Sequence, residues 1–218
     1  MNSSDSQPGS NEKAARLDLT GAPSRTAEVD RRTSETQVQV RLELDGCGQA
    51  EIYTGVGFLD HMLRQVAMHG LFDLTIHASG DLEVDTHHTV EDVALTLGEA
   101  FDRALGDRRG ITSIASAYVP MDESLAFAAV DLSGRPYTVV QAQWHAPMIG
   151  ALPTSLIPHF LETFAGRARA NLHVQVLYGR DDHHQAEAIF KALGSALEAA
   201  VRLDPRRAGQ IHSTKGSL

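Results

Sequence analysis

One short pattern, His-His-x-x-Glu, occurs twice: His87–His88 with Glu91, and His183–His184 with Glu187. Imidazole nitrogens and carboxylate oxygens together ligate divalent transition metals. On a helix, residues four apart share a face, so His87 and Glu91 can grip one ion and His183 and Glu187 another. Adjacent helical residues diverge by about 100°, which aims His88 and His184 at a different ion from their neighbours. Two single histidines complete the pattern. His61 stands 26 positions before His87, and His159 stands 24 before His183. A self-consistent division places His61, His88, His183 and Glu187 on one metal, and His87, Glu91, His159 and His184 on the other. Each ion then has three imidazoles and one carboxylate. The absence of a thiolate argues against a closed structural zinc site. The nitrogen and oxygen donors suit manganese, iron, cobalt or catalytic zinc, and manganese if the sites are octahedral with open positions for substrate.

The elements that carry these residues repeat in the same order. The alternation over Gln37–Leu44 predicts a half-buried strand, Asp45–Gly46 a turn, and Gln49–Tyr53 the return strand. Phe58–His69 has helical spacing and Gly70 stops it. Leu71–Ala78 reads as a strand. Thr89–Leu105 reads as a long amphipathic helix with Glu91 and Asp92 in its first turn. In the second half, Glu123–Val130 and Tyr137–Gln143 are strand candidates. Ser155–Arg169 is a helix that tolerates Pro158 in its opening turn, Leu172–Leu177 is a strand, and His183–Val201 is a long helix. Leu97, Gly98 and Ala100 recur 96 positions later as Leu193, Gly194 and Ala196. The chain is therefore a duplicated unit with its boundary near Gly106–Gly110. We expect a tail without order over residues 1–23, a first half over 24–108, a second over 109–205, and a tail over 206–218.

Composition narrows the classes. The net charge of −9, from 28 acidic and 19 basic residues, argues against nucleic acid as the main partner. The one cysteine, Cys47, cannot form an internal disulfide, and no oxidising compartment is implied. No apolar run approaches the ~20 residues of a membrane span, and the first residues lack the hydrophobic segment of a signal peptide. These features suit a soluble cytoplasmic protein. Ser213–Thr214–Lys215–Gly216 offers hydroxyls and a cation, and Arg135 follows Leu132–Ser133–Gly134 in a turn. Such groups hold phosphate, arginine as a fork and lysine as a point charge.

At these residues the chain resembles the imidazoleglycerol-phosphate dehydratase family. The resemblance runs from about Arg25 to Leu218. It rests on Gly57–Phe58–Leu59–Asp60–His61–Met62–Leu63, His87–His88–Thr89–Val90–Glu91–Asp92, Pro120–Met121–Asp122–Glu123, Asp131–Leu132–Ser133–Gly134–Arg135–Pro136, His183–His184 with Glu187, and Ser213–Thr214–Lys215–Gly216. The resemblance implies an α+β fold of two similar halves, each a four-stranded sheet with helices packed on one face. It implies a hydro-lyase of histidine biosynthesis that dehydrates imidazoleglycerol phosphate to imidazole-acetol phosphate, with two manganese ions (Mn2+) per subunit. Substrate contacts then fall on Glu35, Arg135, Ser213 and Lys215, and the subunits assemble into a homo-oligomer, a 24-mer, with active sites at interfaces. For such a dehydration Glu35 and Glu187 are the candidates for proton transfer, in either order. Ser113 stands where the family carries a substrate-binding arginine, which leaves Arg108 or Arg109 to substitute. Asp181 replaces an asparagine two before the second histidine pair.

Two other readings share the metal motif. A dinuclear metallohydrolase would hold its ions ~3.5–4 Å apart through bridging oxygens, and no bridging aspartate is evident here. A non-catalytic metal-binding assembly protein would use the ions for cohesion alone, and turnover separates it from an enzyme.

Overall fold

The computed structural model describes residues 25–207 and 209–211. Ser213, Lys215 and the N-terminal tail lie outside them. Strands β1 (Thr26–Arg32), β2 (Thr36–Glu43), β3 (Ala50–Tyr53) and β4 (Asp73–Gly80) form one sheet in the order β1-β2-β4-β3. Helices α1 (Gly57–Gly70) and α2 (His87–Leu105) cover its inner face. Strands β5 (Ile114–Met121), β6 (Ser124–Asp131), β7 (Tyr137–Gln141) and β10 (Asn171–Tyr178) form the second sheet, in the equivalent order β5-β6-β10-β7. A small β8 (Met148–Ile149) and β9 (Leu152–Pro153) hairpin leads into α3 (Leu156–Arg167), and α4 (Asp182–Val201) follows β10. All elements of the first sheet precede Gly106 and all of the second follow Gly110, so the two halves are the duplicated α+β units expected.

The expected alternation in β2 holds: Val38, Val40 and Leu42 are buried while the residues between them face outward. The expected hairpin to β3 does not form. β2 pairs antiparallel with β1 and β4, and β3 pairs parallel with β4 alone. The carboxylate of Asp73 accepts from Cys47 N at 2.7 Å and Gln49 N at 3.0 Å, and these two bonds tie the loop after β2 to the start of β4. The second half repeats the pairing with β7 parallel to β10. Strands β1 and β5 are edge strands that periodicity does not announce, since β1 buries only Val29. Helix α2 also begins two residues before the expected start, at His87. Glu91 and Asp92 therefore fall in its second turn. Buried Asp92 accepts from Arg31 Nε at 2.6 Å and from Thr36 Oγ1, which fastens α2 to the first sheet.

The helices form the middle of the molecule: α1 packs on α4, and α2 on α3. One core spans both halves, with Phe101 of α2 edge-on to Phe72 (5.2 Å between centroids) and to Phe164 of α3 (5.3 Å). The repeated glycines sit at the two crossings. A Cβ on Gly98 would meet Phe164 O at 2.6 Å and Arg167 Cβ at 2.8 Å. One on Gly194 would meet Val66 O at 2.9 Å and Gly70 N at 3.1 Å. These are mostly backbone atoms, so the helices themselves must separate to admit a methyl group. Alanine gains about 1 kcal/mol in helix propensity over glycine, but overpacking of this kind costs typically 1–3 kcal/mol. Gly194→Ala should lower Tm by a few degrees, on the scale of about 2–4 °C per kcal/mol for a chain of this size. Among the described residues, no helix is long and apolar enough to cross a membrane.

Candidate metal centre

The same two crossings gather the histidines. Asp181 caps α4, its Oδ1 accepting from His183 N at 2.8 Å and His184 N at 3.3 Å. A carboxylate suits a helix N-terminus, so Asp181 serves as the cap. One turn on, Glu187 Oε2 lies 3.0 Å from Nε2 of His61 on α1 and 3.3 Å from Nε2 of His183. Phe58 packs its ring against His183 at 5.0 Å. The other oxygen of Glu187 is held by Lys191 Nζ at 2.7 Å. Burial pushes the Glu187 carboxyl upward, but Lys191 and His61 outweigh it and bring it down to about 2.

Across the molecule, His87 and Glu91 of α2 meet His159 of α3. The His87 and His159 rings stack at 4.7 Å, and His159 Nε2 lies 3.6 Å from Glu91 Oε1. In each triad the candidate ligand atoms all lie within 4.8 Å of one another. The triads are related by the repeat but differ in surroundings. Glu91 is the more exposed carboxylate, and Leu95 takes the place of Lys191.

The donor set fits divalent metal ions. Each triad offers two imidazoles and a carboxylate, which is the ligand type of catalytic zinc sites and of open manganese or iron sites. His159 Nε2 is buried and, among the described residues, has no hydrogen-bond partner, although buried polar atoms are ordinarily satisfied. A cation between it and Glu91 would satisfy it.

His88 and His184 join neither triad. Nδ1 of His88 faces Asp81 Oδ2 at 3.0 Å, with Glu35 Oε2 at 4.0 Å. Nδ1 of His184 faces Glu123 Oε2 at 2.7 Å. The hydrogen bond to Asp81 raises the His88 pKa, and that to Glu123 raises that of His184. His184 in turn holds the Glu123 carboxyl well below the usual range. Asp81 and Glu123 are absent from the residues that spacing singles out. Glu123 could have been found from the repeat, since it stands 88 positions after Glu35, directly before the matching strand.

The substrate-binding candidates are placed as follows. Glu35 is exposed in the β1–β2 turn. Arg135 is exposed in the β6–β7 turn, and among the described residues no carboxylate or carbonyl pairs with it. Ser113 is buried at the start of β5 and donates to Asp131 Oδ1 at 3.1 Å. Arg108 cannot stand in for the missing arginine. It is 2 % exposed, and its guanidinium is spent on the carbonyls of Leu132, Ala168 and Arg169 and on Asp102. Arg109 is exposed but pairs with Asp107 and donates to Gly209 O at 2.8 Å.

Fold and site together define a duplicated α+β protein with two candidate metal clusters at the contacts between its halves. The sequence profile of imidazoleglycerol-phosphate dehydratase matches residues 54–197, and the chain belongs to the imidazoleglycerol-phosphate dehydratase family. The imidazoleglycerol-phosphate dehydratase of a Roseiflexus species is 60% identical over 197 residues, covering 90% of this chain and 99% of that protein. That of Chloroflexus aggregans is 59% identical, covering 89% of this chain and 95% of that protein. Among solved structures, the Staphylococcus aureus enzyme superposes with a TM-score of 0.75 at 33% identity, covering 82% of this chain and 99% of that one. The Pyrococcus furiosus enzyme gives 0.76 at 35% identity, covering 87% of this chain and 100% of that one.

Proposed function

We propose that this chain is a cytoplasmic hydro-lyase of histidine biosynthesis that converts imidazoleglycerol phosphate to imidazole-acetol phosphate with two manganese ions per subunit. The observation that carries this reading is the pair of His2Glu triads, each built by helices from both halves. His61, His183 and Glu187 would hold one ion, and His87, Glu91 and His159 the other. His88 and His184 would each supply a fourth ligand to the opposite type of site. Within one chain they turn away from the triads, so these ligands come from neighbouring copies in a homo-oligomer. Bound between them, the ions supply Lewis acidity toward the imidazole ring.

The chain's own residues do the rest. Arg135, Ser213 and Lys215 bind the phosphate and fix the ring, converting binding energy into orientation. Dehydration removes one proton and one hydroxide from neighbouring carbons, and the enol formed becomes the ketone. Glu187 has both oxygens engaged, by Lys191 and by the histidines, whereas Glu35 is exposed and, among the described residues, its carboxylate meets no cation closer than His88 at 4.0 Å. Glu35 and Glu187 are the two candidates for proton transfer, and Glu35 is the freer of them to take a proton from carbon. The test is turnover of imidazoleglycerol phosphate by manganese-loaded protein, read as ketone. Activity should vanish on chelation and return with Mn2+, and particle size should fall when the metal leaves. Metal-loaded protein that forms no ketone would overturn the reading.

A further inference from the structure

The two halves treat equivalent carboxylates differently. Thr36 opens β2 and Ser124 opens β6, and both are buried. Each packs against the glycine at or just past the end of the neighbouring central strand. An added Cβ on Gly80 would meet Thr36 Cγ2 at 3.2 Å and Thr89 Oγ1 at 2.2 Å, and one on Gly179 would meet Ser124 Oγ at 2.5 Å and Gln185 Cγ at 2.6 Å. Thr89 and Gln185 are themselves repeat partners, so this match holds in space as well as in order. Glu35 and Glu123, directly before those strands, are therefore counterparts, each beside the second histidine of its half.

Glu123 is fully committed. Its Oε1 accepts from Arg180 N at 3.2 Å and Asp181 N at 3.0 Å, and its Oε2 from Nδ1–H of His184. Glu35 is not, because another carboxylate has taken its task. After Gly80 the first half has Asp81, and after Gly179 the second has Arg180. Asp81 Oδ2 accepts from Nδ1–H of His88 at 3.0 Å, leaving Glu35 a full ångström further off.

We propose that Asp81 and Glu123 are positioning residues that fix His88 and His184 with Nδ1 protonated and Nε2 presented outward to a metal, and that Asp81 thereby releases Glu35 from the holding role its counterpart performs. The inference rests on the metal-dependent reading above. An ionised carboxylate can only accept, so the ring must donate from Nδ1, and the lone pair is left on Nε2. Carboxylates in this position orient metal-bound histidines and raise their basicity.

The experiment measures Mn2+ affinity by chelator competition, kcat, and the Tm of metal-free protein in the parent and in Asp81→Ala, Asp81→Asn and Glu35→Gln. Asp81→Ala should weaken Mn2+ binding by about 10- to 100-fold, the usual effect of losing an outer partner of a ligating histidine, with metal-free Tm unchanged. Asp81→Asn, whose amide oxygen still accepts from Nδ1–H, should recover most of that affinity. Glu35→Gln should bind Mn2+ like the parent while losing kcat. Parental Mn2+ affinity in Asp81→Ala overturns the proposal. So does a metal-free Tm that falls together with affinity and is not restored by asparagine, which would make Asp81 a loop fastener. A parent that binds no Mn2+ overturns the underlying metal reading instead.

Discussion

His183→Ala should leave about one divalent ion per chain in place of two and lower dehydration by roughly a thousandfold or more. The ring it removes supplies one of three donors in a triad whose carboxylate is already shared with His61 and Lys191. The donors that remain, one of them an acid tied to a lysine, hold a divalent ion less well against water than the full set does. Metal polarisation of a substrate contributes several kcal/mol to a transition state, and each ~1.4 kcal/mol is a factor of ten in rate. The triad of His87, Glu91 and His159 shares no side chain with this one, so one ion should remain. Elemental analysis and the ketone assay on the same preparation test both halves of the statement. Two ions and parental turnover in His183→Ala would remove that triad from the catalytic site.

The largest stability effect is expected away from the metals, at Arg108. Its guanidinium donates to Leu132 O at 2.9 Å, Arg169 O at 3.0 Å and Ala168 O at 2.8 Å, and it pairs with Asp102 of α2. It thus joins the end of the first half's long helix to the turns that follow α3 and β6. Burial lowers its pKa and Asp102 opposes that shift, but an arginine remains charged throughout the physiological range. Arg108→Ala would leave three carbonyls in the junction without this donor, while Asp102, partly exposed, keeps Arg169 Nε at 3.8 Å. Removing one partner of a buried ion pair costs about 3–5 kcal/mol, and with Asp102 partly solvated the low end, about 3 kcal/mol, applies, a fall in Tm of roughly 6–12 °C at about 2–4 °C per kcal/mol. The folded fraction should still bind metal and substrate like the parent. A loss of substrate affinity without a loss of Tm would return Arg108 to the binding role its position in the sequence suggested.

The two clusters of histidine and glutamate were legible, His88 and His184 apart, because metal-ligating chemistry constrains both residue type and spacing. His-His-x-x-Glu has few other uses, and its recurrence in register with Leu97–Gly98 and Leu193–Gly194 exposed the duplication. The reason for those glycines was not legible, because the obstruction at Gly98 comes from Phe164 and Arg167, some 70 positions away. Pairing of β3 was misread for the same kind of reason, since its parallel partner β4 lies beyond α1 in the chain and the turn beside β3 gives no sign of it. Edge strands β1 and β5 escaped notice because an edge strand in this fold buries little. Arg108 was misassigned because charge alone cannot distinguish an arginine that meets solvent from one enclosed by carbonyls.

Each triad joins a helix of one half to a helix of the other, and this bears on ancestry. A single half holds an α1-type histidine on one helix and the His-His-x-x-Glu pattern on the next, but its own two helices do not bring them together. Two identical half-length chains, facing each other as the halves do here, would create both triads at once through their twofold symmetry. The two clusters therefore need no covalent join between the halves to form. Joining the copies through Gly106–Gly110 freed each to change independently, and the differences now seen between the two halves, Lys191 against Leu95 and Asp81 against Arg180, are changes that a symmetric pair of identical chains could not have held on one side alone.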